Sequence, residues 1–284
     1  MIRSTARSLW VCVLVLGLST KVAWAQQPSA APPAATQTAV DDDEQRADPA
    51  EPDFRLVNLP TTLRLPRLKG TFTLTHRFNG NLADYSLGEA FENMFGMDQG
   101  ASIGLEYRFA PVSHVQAVVF RTNISRVIQF TGKYDAVHEG VNGPVSISAI
   151  VAVEGENNFR ENYSPTLGVV VSRKIANRVA IYGTPVWVHN TALATGTNQD
   201  TTYLGLGMRL EIRNRTYLVG EVTPRMTGYQ PGDPLYGFAI EKRVGGHVFQ
   251  LNFTNGQATT FGQIARGGSP STLYLGFNLS RKFF

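Results

Sequence analysis

The sequence predicts an all-β chain, a transmembrane antiparallel up-and-down β-barrel of about 12 strands, on three observations. From Lys69 onward, apolar and polar residues alternate with period two. Short and long connections alternate between those segments, as they do between the two sides of an outer-membrane barrel. The apolar faces end in aromatics (Phe78, Tyr107, Phe109, Tyr134, Trp187, Tyr236, Phe253 and Phe283) where a membrane-interface girdle would lie. A soluble β-sandwich would also alternate, but its strands usually run to about five or six residues.

Composition closes off other classes. A polytopic helical membrane protein needs repeated apolar runs of about 20 residues, and this chain of 284 residues is only 43% apolar. One cysteine excludes a disulfide scaffold. With 16 Phe, 10 Tyr and 3 Trp, the chain has too much apolar surface to bury to be wholly disordered.

Residues 1–25 read as a signal peptide. Arg3 and Arg7 form the basic start, Leu9 to Leu18 the apolar core, and Ala23-Trp24-Ala25 the cleavage pattern, with the mature chain starting at Gln26. Cys12 lies inside that core, so the mature chain has no cysteine. Removing Arg3, Arg7 and Lys21 from the 26 basic residues leaves 23 against 22 acidic, and the case for a nucleic-acid partner goes with them. Residues 26–68 read as a disordered periplasmic tail, with the solvated run Asp41-Asp42-Asp43-Glu44, followed by an extended lead-in through Pro60 and Pro66.

Residues 69–284 are the barrel. The strands expected are 70–78, 101–109, 115–122, 126–135, 144–154, 165–174, 178–189, 201–213, 216–225, 235–243, 247–255 and 271–283. Leu204, Leu206, Met208, Leu210 and Ile212 alternate with Gly205, Gly207, Arg209, Glu211 and Arg213; Leu273, Leu275, Phe277 and Leu279 alternate with Tyr274, Gly276, Asn278 and Ser280. One helical turn is expected around Leu87–Phe95. An even strand number and a periplasmic N-terminus put the long links on the outer side. The links at Asn123–Ser125 and Ala136–Gly143 break that rule of lengths. The terminal aromatic at Phe283-Phe284 suits hand-over to the outer-membrane assembly machinery.

Four stretches resemble a bacterial outer-membrane β-barrel family of unknown function: Thr75-His76-Arg77-Phe78, Phe95-Gly96-Met97-Asp98-Gln99-Gly100-Ala101, Phe120-Arg121-Thr122 and Gly132-Lys133-Tyr134-Asp135. The likeness covers roughly residues 55–284. It implies the barrel fold, an outer-membrane location in a Gram-negative-type bacterium and contact with outer-membrane lipid. It implies no activity.

Function is sought on the inward faces. The alternation turns Arg77, Glu106, Arg108, Arg121, Lys133, Asp135, Arg178, Arg209, Glu211, Arg213, Glu221, Arg225, Glu241 and Arg243 into the lumen. A slightly cationic passage of that kind favours small hydrophilic or anionic solutes, as in a narrow porin-like channel. The alternative is a lumen closed by arginine–carboxylate pairs, with a structural or loop-mediated binding role. Gly205, Gly207, Gly237 and Gly276 leave lumenal space and tilt the reading to the pore. The loop residues Phe91, Met94, Phe95, Met97, Phe261 and Ile264 are apolar enough to form a lid or to serve an apolar-ligand transporter. A lipid hydrolase would need His76 with Ser102 or His189 with Ser164, and no Gly-x-Ser-x-Gly elbow exists. The five histidines share no metal-ligand spacing, and no cofactor motif occurs.

Overall fold

The computed structural model describes residues 50–176, 178–191, 199–228 and 233–283. The expected signal peptide and acidic run lie outside the described residues. No helix among the described residues is long and apolar enough to cross a membrane. The chain crosses with strands.

Those strands are β1 (Gly70–Asn81), β2 (Ala101–Val112), β3 (Val115–Thr122), β4 (Ile128–Val137), β5 (Ser146–Gly155), β6 (Glu161–Ile175), β7 (Val179–Val188), β8 (Thr201–Arg213), β9 (Thr216–Thr223), β10 (Arg225–Thr227), β11 (Leu235–Val244), β12 (His247–Thr254) and β13 (Tyr274–Phe283). Each pairs antiparallel with its neighbour, β9 passes directly to β11, and β1 closes on β13 with Gly70 opposite Phe283 and Arg77 opposite Gly276. The result is a closed ring of twelve strands. The three-residue β10 stands outside it and pairs with β8. Closure leaves no free sheet edge, which a bilayer interior demands.

The connections have physical reasons. At Asn214–Arg215 both residues have positive φ, 48° and 60°, the conformation whose twist matches flanking strands. The first outer loop carries the helix Leu87–Glu92, started by a capping box in which Ser86 and Glu89 bond reciprocally. It folds back until Gly96, at φ 83°, sits against Gly80. A Cβ on Gly96 would lie 2.6 Å from the Gly80 Cα, so this contact requires glycine. The expected start of the last strand at 271 falls three residues early, because Thr272 Oγ1 donates to the Asn255 carbonyl and Leu273 N–H to Asn81 Oδ1. Those residues belong to the loop.

The outer surface is the apolar belt, with Ile103, Leu105, Tyr107, Leu206, Met208, Phe249 and Leu251 all exposed. The alternation assigned these faces correctly. It failed on β3, where Gln116, Val118, Phe120 and Thr122 are buried and Ala117, Val119 and Arg121 are exposed. Both faces of β3 are apolar, so period two alone could not set its phase.

The largest departure is inside. Residues 50–62, expected in the periplasm as tail and lead-in, are all buried, threaded up the lumen and back. Arg55 and Pro60 pair across this hairpin, Thr61 N–H donates to the Phe54 carbonyl, and Leu56 N–H donates to the Leu59 carbonyl at the tip. Leu56, Val57 and Leu59 join an apolar cluster with Val186, Val188 and Tyr203 of the wall.

Candidate functional site: the occupied lumen

Backbone polar groups taken out of water must find partners, and the barrel wall supplies them to this plug. Glu221 accepts hydrogen bonds from three successive plug amides, Val57 (3.1 Å), Asn58 (2.9 Å) and Leu59 (3.0 Å), and from the Asn58 side chain (2.9 Å). The carbonyls are met from the other side. Arg209 donates to the Arg55 carbonyl, Gln250 to that of Leu56 at 2.9 Å, and Asn278 to that of Val57 at 2.9 Å. Below the tip, Tyr182 donates to Glu51 and Ser280 to Asp53, while Lys133 and Gln116 both donate to the Leu63 carbonyl.

The charges are arranged with equal economy. Arg55 of the plug and Arg108 of the wall both bond Glu106, and Arg55 also lies 4.9 Å over the Phe120 ring. Lys133 pairs with Asp135 at 2.9 Å and Arg209 with Glu241 at 3.1 Å. The described interior buries seven basic and seven acidic residues. Three of these, Glu51, Asp53 and Arg55, belong to the plug. Its net negative charge therefore balances a net positive wall.

The last outer loop meets the plug from above. Its helical turn Phe261–Ala265 is wholly buried. Phe261 N–H donates to Gln129, Gly262 N–H to Glu154, and the Thr259 carbonyl accepts from Arg55. A void of about 30 Å³ remains between them, lined in part by Arg55, Asn58, Glu106, Lys133 and Ile264, room for little more than one or two waters. The space expected at the lumenal glycines is filled. A Cβ on Gly205 would lie 2.8 Å from Leu59, and one on Gly237 3.3 Å from Val57. One on Gly207 would fall on Leu56, and one on Gly276 on Arg77 and Asn252.

Nine of the residues assigned to the lumen from sequence are buried there: Arg77, Glu106, Arg108, Lys133, Asp135, Arg209, Glu221, Glu241 and Arg243. Arg225 stands at the outer mouth, half-buried, donating to the Arg266 carbonyl. Glu211 is half-buried beside the periplasmic turn and accepts from Arg215 N–H. Three assignments are corrected. Arg121 points outward and donates to Asn158, because β3 has the opposite phase. Arg178 and Arg213 are exposed at strand ends, where the alternation has run out into turns. Sequence reasoning missed Glu154 and Lys282, although each continues an inward row, with Ser146 and Ser148 or with Asn278 and Ser280. It also missed Glu51, Asp53 and Arg55. The signal available was the cluster Phe54, Leu56, Val57 and Leu59, too apolar for a solvated tail.

The loop residues divide. Phe261 and Ile264 are buried within the barrel, whereas Phe91, Met94 and Met97 stay exposed on the first loop. Neither serine–histidine pair forms. Ser102 faces inward and donates to Gln257, while His76 stacks on Phe277 on the outer face. Ser164 donates to the Asn190 carbonyl, and His189 pairs with Asp200 at 2.7 Å. No metal-ligand cluster occurs among the described residues.

Residues 53–283 match the family model described as a membrane bound beta barrel domain (DUF5777). Among solved structures, the chain is similar to the NanC porin, at 7% identity and a TM-score of 0.51, covering 76% of this chain and 100% of that one. It is also similar to the outer membrane protein Omp33 of Acinetobacter baumannii, at 7% identity and a TM-score of 0.44, covering 78% and 100%. At these identities the likeness shows the fold alone. No curated protein matches the chain. The chain belongs to the family of membrane-bound β-barrel domains, and its place is the bacterial outer membrane.

Proposed function

We propose that this is a porin-like channel held shut by its own N-terminal segment, and that it conducts small hydrophilic or anionic solutes when the segment leaves the lumen. One observation carries the reading. The plug is bound mainly through its backbone by wall side chains that are themselves polar or charged, and such groups remain satisfied by water once the plug withdraws. The wall then keeps Arg77, Arg108, Lys133, Arg209, Arg243 and Lys282 against five acids, which favours anions. Enzymatic chemistry has no support in the serine or histidine geometry.

A second reading is a permanently filled barrel with a structural role. It is favoured by the apolar sector in which Leu56 and Leu59 pack with Val186, Val188 and Tyr203. A covalent lock separates the two. An ideal Cβ on Gly237 would lie 3.4 Å from the Val57 Cβ, close to disulfide geometry. In planar bilayers the gated channel requires openings in the wild type, an anion preference, and loss of both in oxidised Val57→Cys/Gly237→Cys, with recovery on reduction. A barrel that is silent in the wild type and remains silent when residues 50–62 are deleted would refute the channel.

A further inference from the structure

The outward face of β11, β12 and β13 carries a feature that the lumen does not explain. Directly paired residues place Ile240, Leu251 and Phe277 in one row across the three strands, and Lys242, Phe249 and Leu279 in the next. Together they line a shallow trough of about 420 Å³ on the lipid-facing surface. The row below, toward the periplasmic turn Gly245–Gly246, is Val244, His247 and Arg281. The trough is therefore apolar along its length and cationic at its periplasmic end.

The two cations are placed for a ligand outside the barrel. Lys242 is exposed and bends toward the periplasmic turn, where its ammonium donates to the Asn214 carbonyl and to Thr216 Oγ1. Such bending carries a charged head to the bilayer surface while its stem covers apolar area. Arg281 is exposed and bonds the His247 ring at 2.9 Å. None of these partners is a carboxylate, and among the described residues neither cation forms an ion pair. The wider rim agrees in sign. Arg173, Arg178 and Arg213 are exposed near periplasmic turns, whereas on the outer side the exposed acids Asp84, Glu92, Asp98, Glu161 and Asp200 outnumber the exposed Arg121, Arg126 and Arg160.

We propose that this trough is a binding site for one anionic phospholipid of the periplasmic leaflet, its acyl chain along Ile240, Phe249, Leu251, Phe277 and Leu279 and its phosphate between Lys242 and Arg281. Charge complementarity selects the headgroup, and the apolar rows select a lipid over free phosphate. The site does not depend on whether the lumen opens.

Native mass spectrometry of the full mature chain in nonionic detergent tests it, with phosphatidylglycerol and phosphatidylcholine of identical acyl chains as probes. One phosphatidylglycerol is expected to stay bound under conditions that strip phosphatidylcholine. Each of Lys242→Gln and Arg281→Gln should weaken retention about fivefold, and both together about 25-fold, from the usual contribution of a base near an anionic surface. Arg173→Gln, on a distant strand, should change nothing. Equal retention of the two lipids, or full retention in the double variant, would overturn the assignment. Inorganic phosphate that competes as well as the lipid would overturn it too, since the trough would then contribute nothing. Stronger lipid binding after neutralising Asp41, Asp42, Asp43 and Glu44 would place the chain's own acidic run on the clamp instead.

Discussion

Glu221→Gln is the substitution that tests the plug most directly, because it preserves shape and removes charge. The carboxylate accepts from four donors across Val57, Asn58 and Leu59. Glutamine keeps one acceptor oxygen and turns an NH₂ group toward backbone N–H groups, so at least two charge-assisted bonds are lost. Hydrogen bonds to a charged group contribute about 1.5–3 kcal/mol each, so docking weakens by about 3–6 kcal/mol. With 1.4 kcal/mol for each factor of ten, the undocked population rises roughly 10²–10⁴-fold. The reporter is Val57→Cys, in a mature chain that the sequence predicts to be free of other cysteines. A buried thiol reacts only from the open state, so its rate of modification by a polar maleimide tracks that population. Glu221→Gln should accelerate labelling by orders of magnitude while the barrel stays heat-modifiable. Labelling at the wild-type rate in a folded barrel would refute the Glu221 cradle as the plug's anchor.

Other substitutions follow from the same geometry. Gly207→Val places a branched side chain on Leu56 and should likewise release the plug, read as faster Val57→Cys labelling. Arg209→Ala leaves Glu241 and the Arg55 carbonyl without their shared donor in a site that is 0% exposed, and should cost about 3–5 kcal/mol in denaturant unfolding. Met208→Arg, on the lipid-facing side of β8, should cost about 2–4 kcal/mol near the midplane, measured by refolding into lipid vesicles. Arg121→Ala should leave conductance and selectivity unchanged, because that guanidinium lies outside the barrel beside Asn158.

The wall was legible where its two faces differ in chemistry. On β8, leucines and Met208 oppose glycines and Arg209, and period two gives bounds, phase and partner face together. The same contrast marks β2, β11 and β13. On β3 the inward Val118 and Phe120 are as apolar as the outward Val119, because Phe120 serves as a platform for Arg55 rather than facing water. The plug escaped for a related reason. A segment whose backbone is met by wall side chains 154 to 221 residues away has no local period and no cap. Only its excess of apolar residues between Pro52 and Pro60 marks it, and that measure says what is buried without saying where. The lumenal glycines do leave space, and Leu59, Leu56 and Val57 fill it at Gly205, Gly207 and Gly237.

The partners of the plug are spread unevenly along the chain, and this bears on how the barrel assembles. Arg77 and Glu106 of the first two strands bond Asn58 and Arg55, but the remaining anchors of residues 53–58 come late: Glu221, Gln250, Asn278 and Ser280 lie at sequence separations of 164, 194, 221 and 227. The segment made first thus completes its bonding only with the strands made last. Contacts of such range must repay loop-closure entropy before they contribute anything, which slows folding. Yet β9, β12 and β13 each present an inward polar residue to the same short hairpin, and β13 must also find β1. A hairpin that gathers those three strands brings the two closing strands within reach of each other. Deleting residues 50–62 would then slow ring closure during insertion into lipid, and the N-terminal segment would act as a mandrel around which the last third of the barrel is laid down.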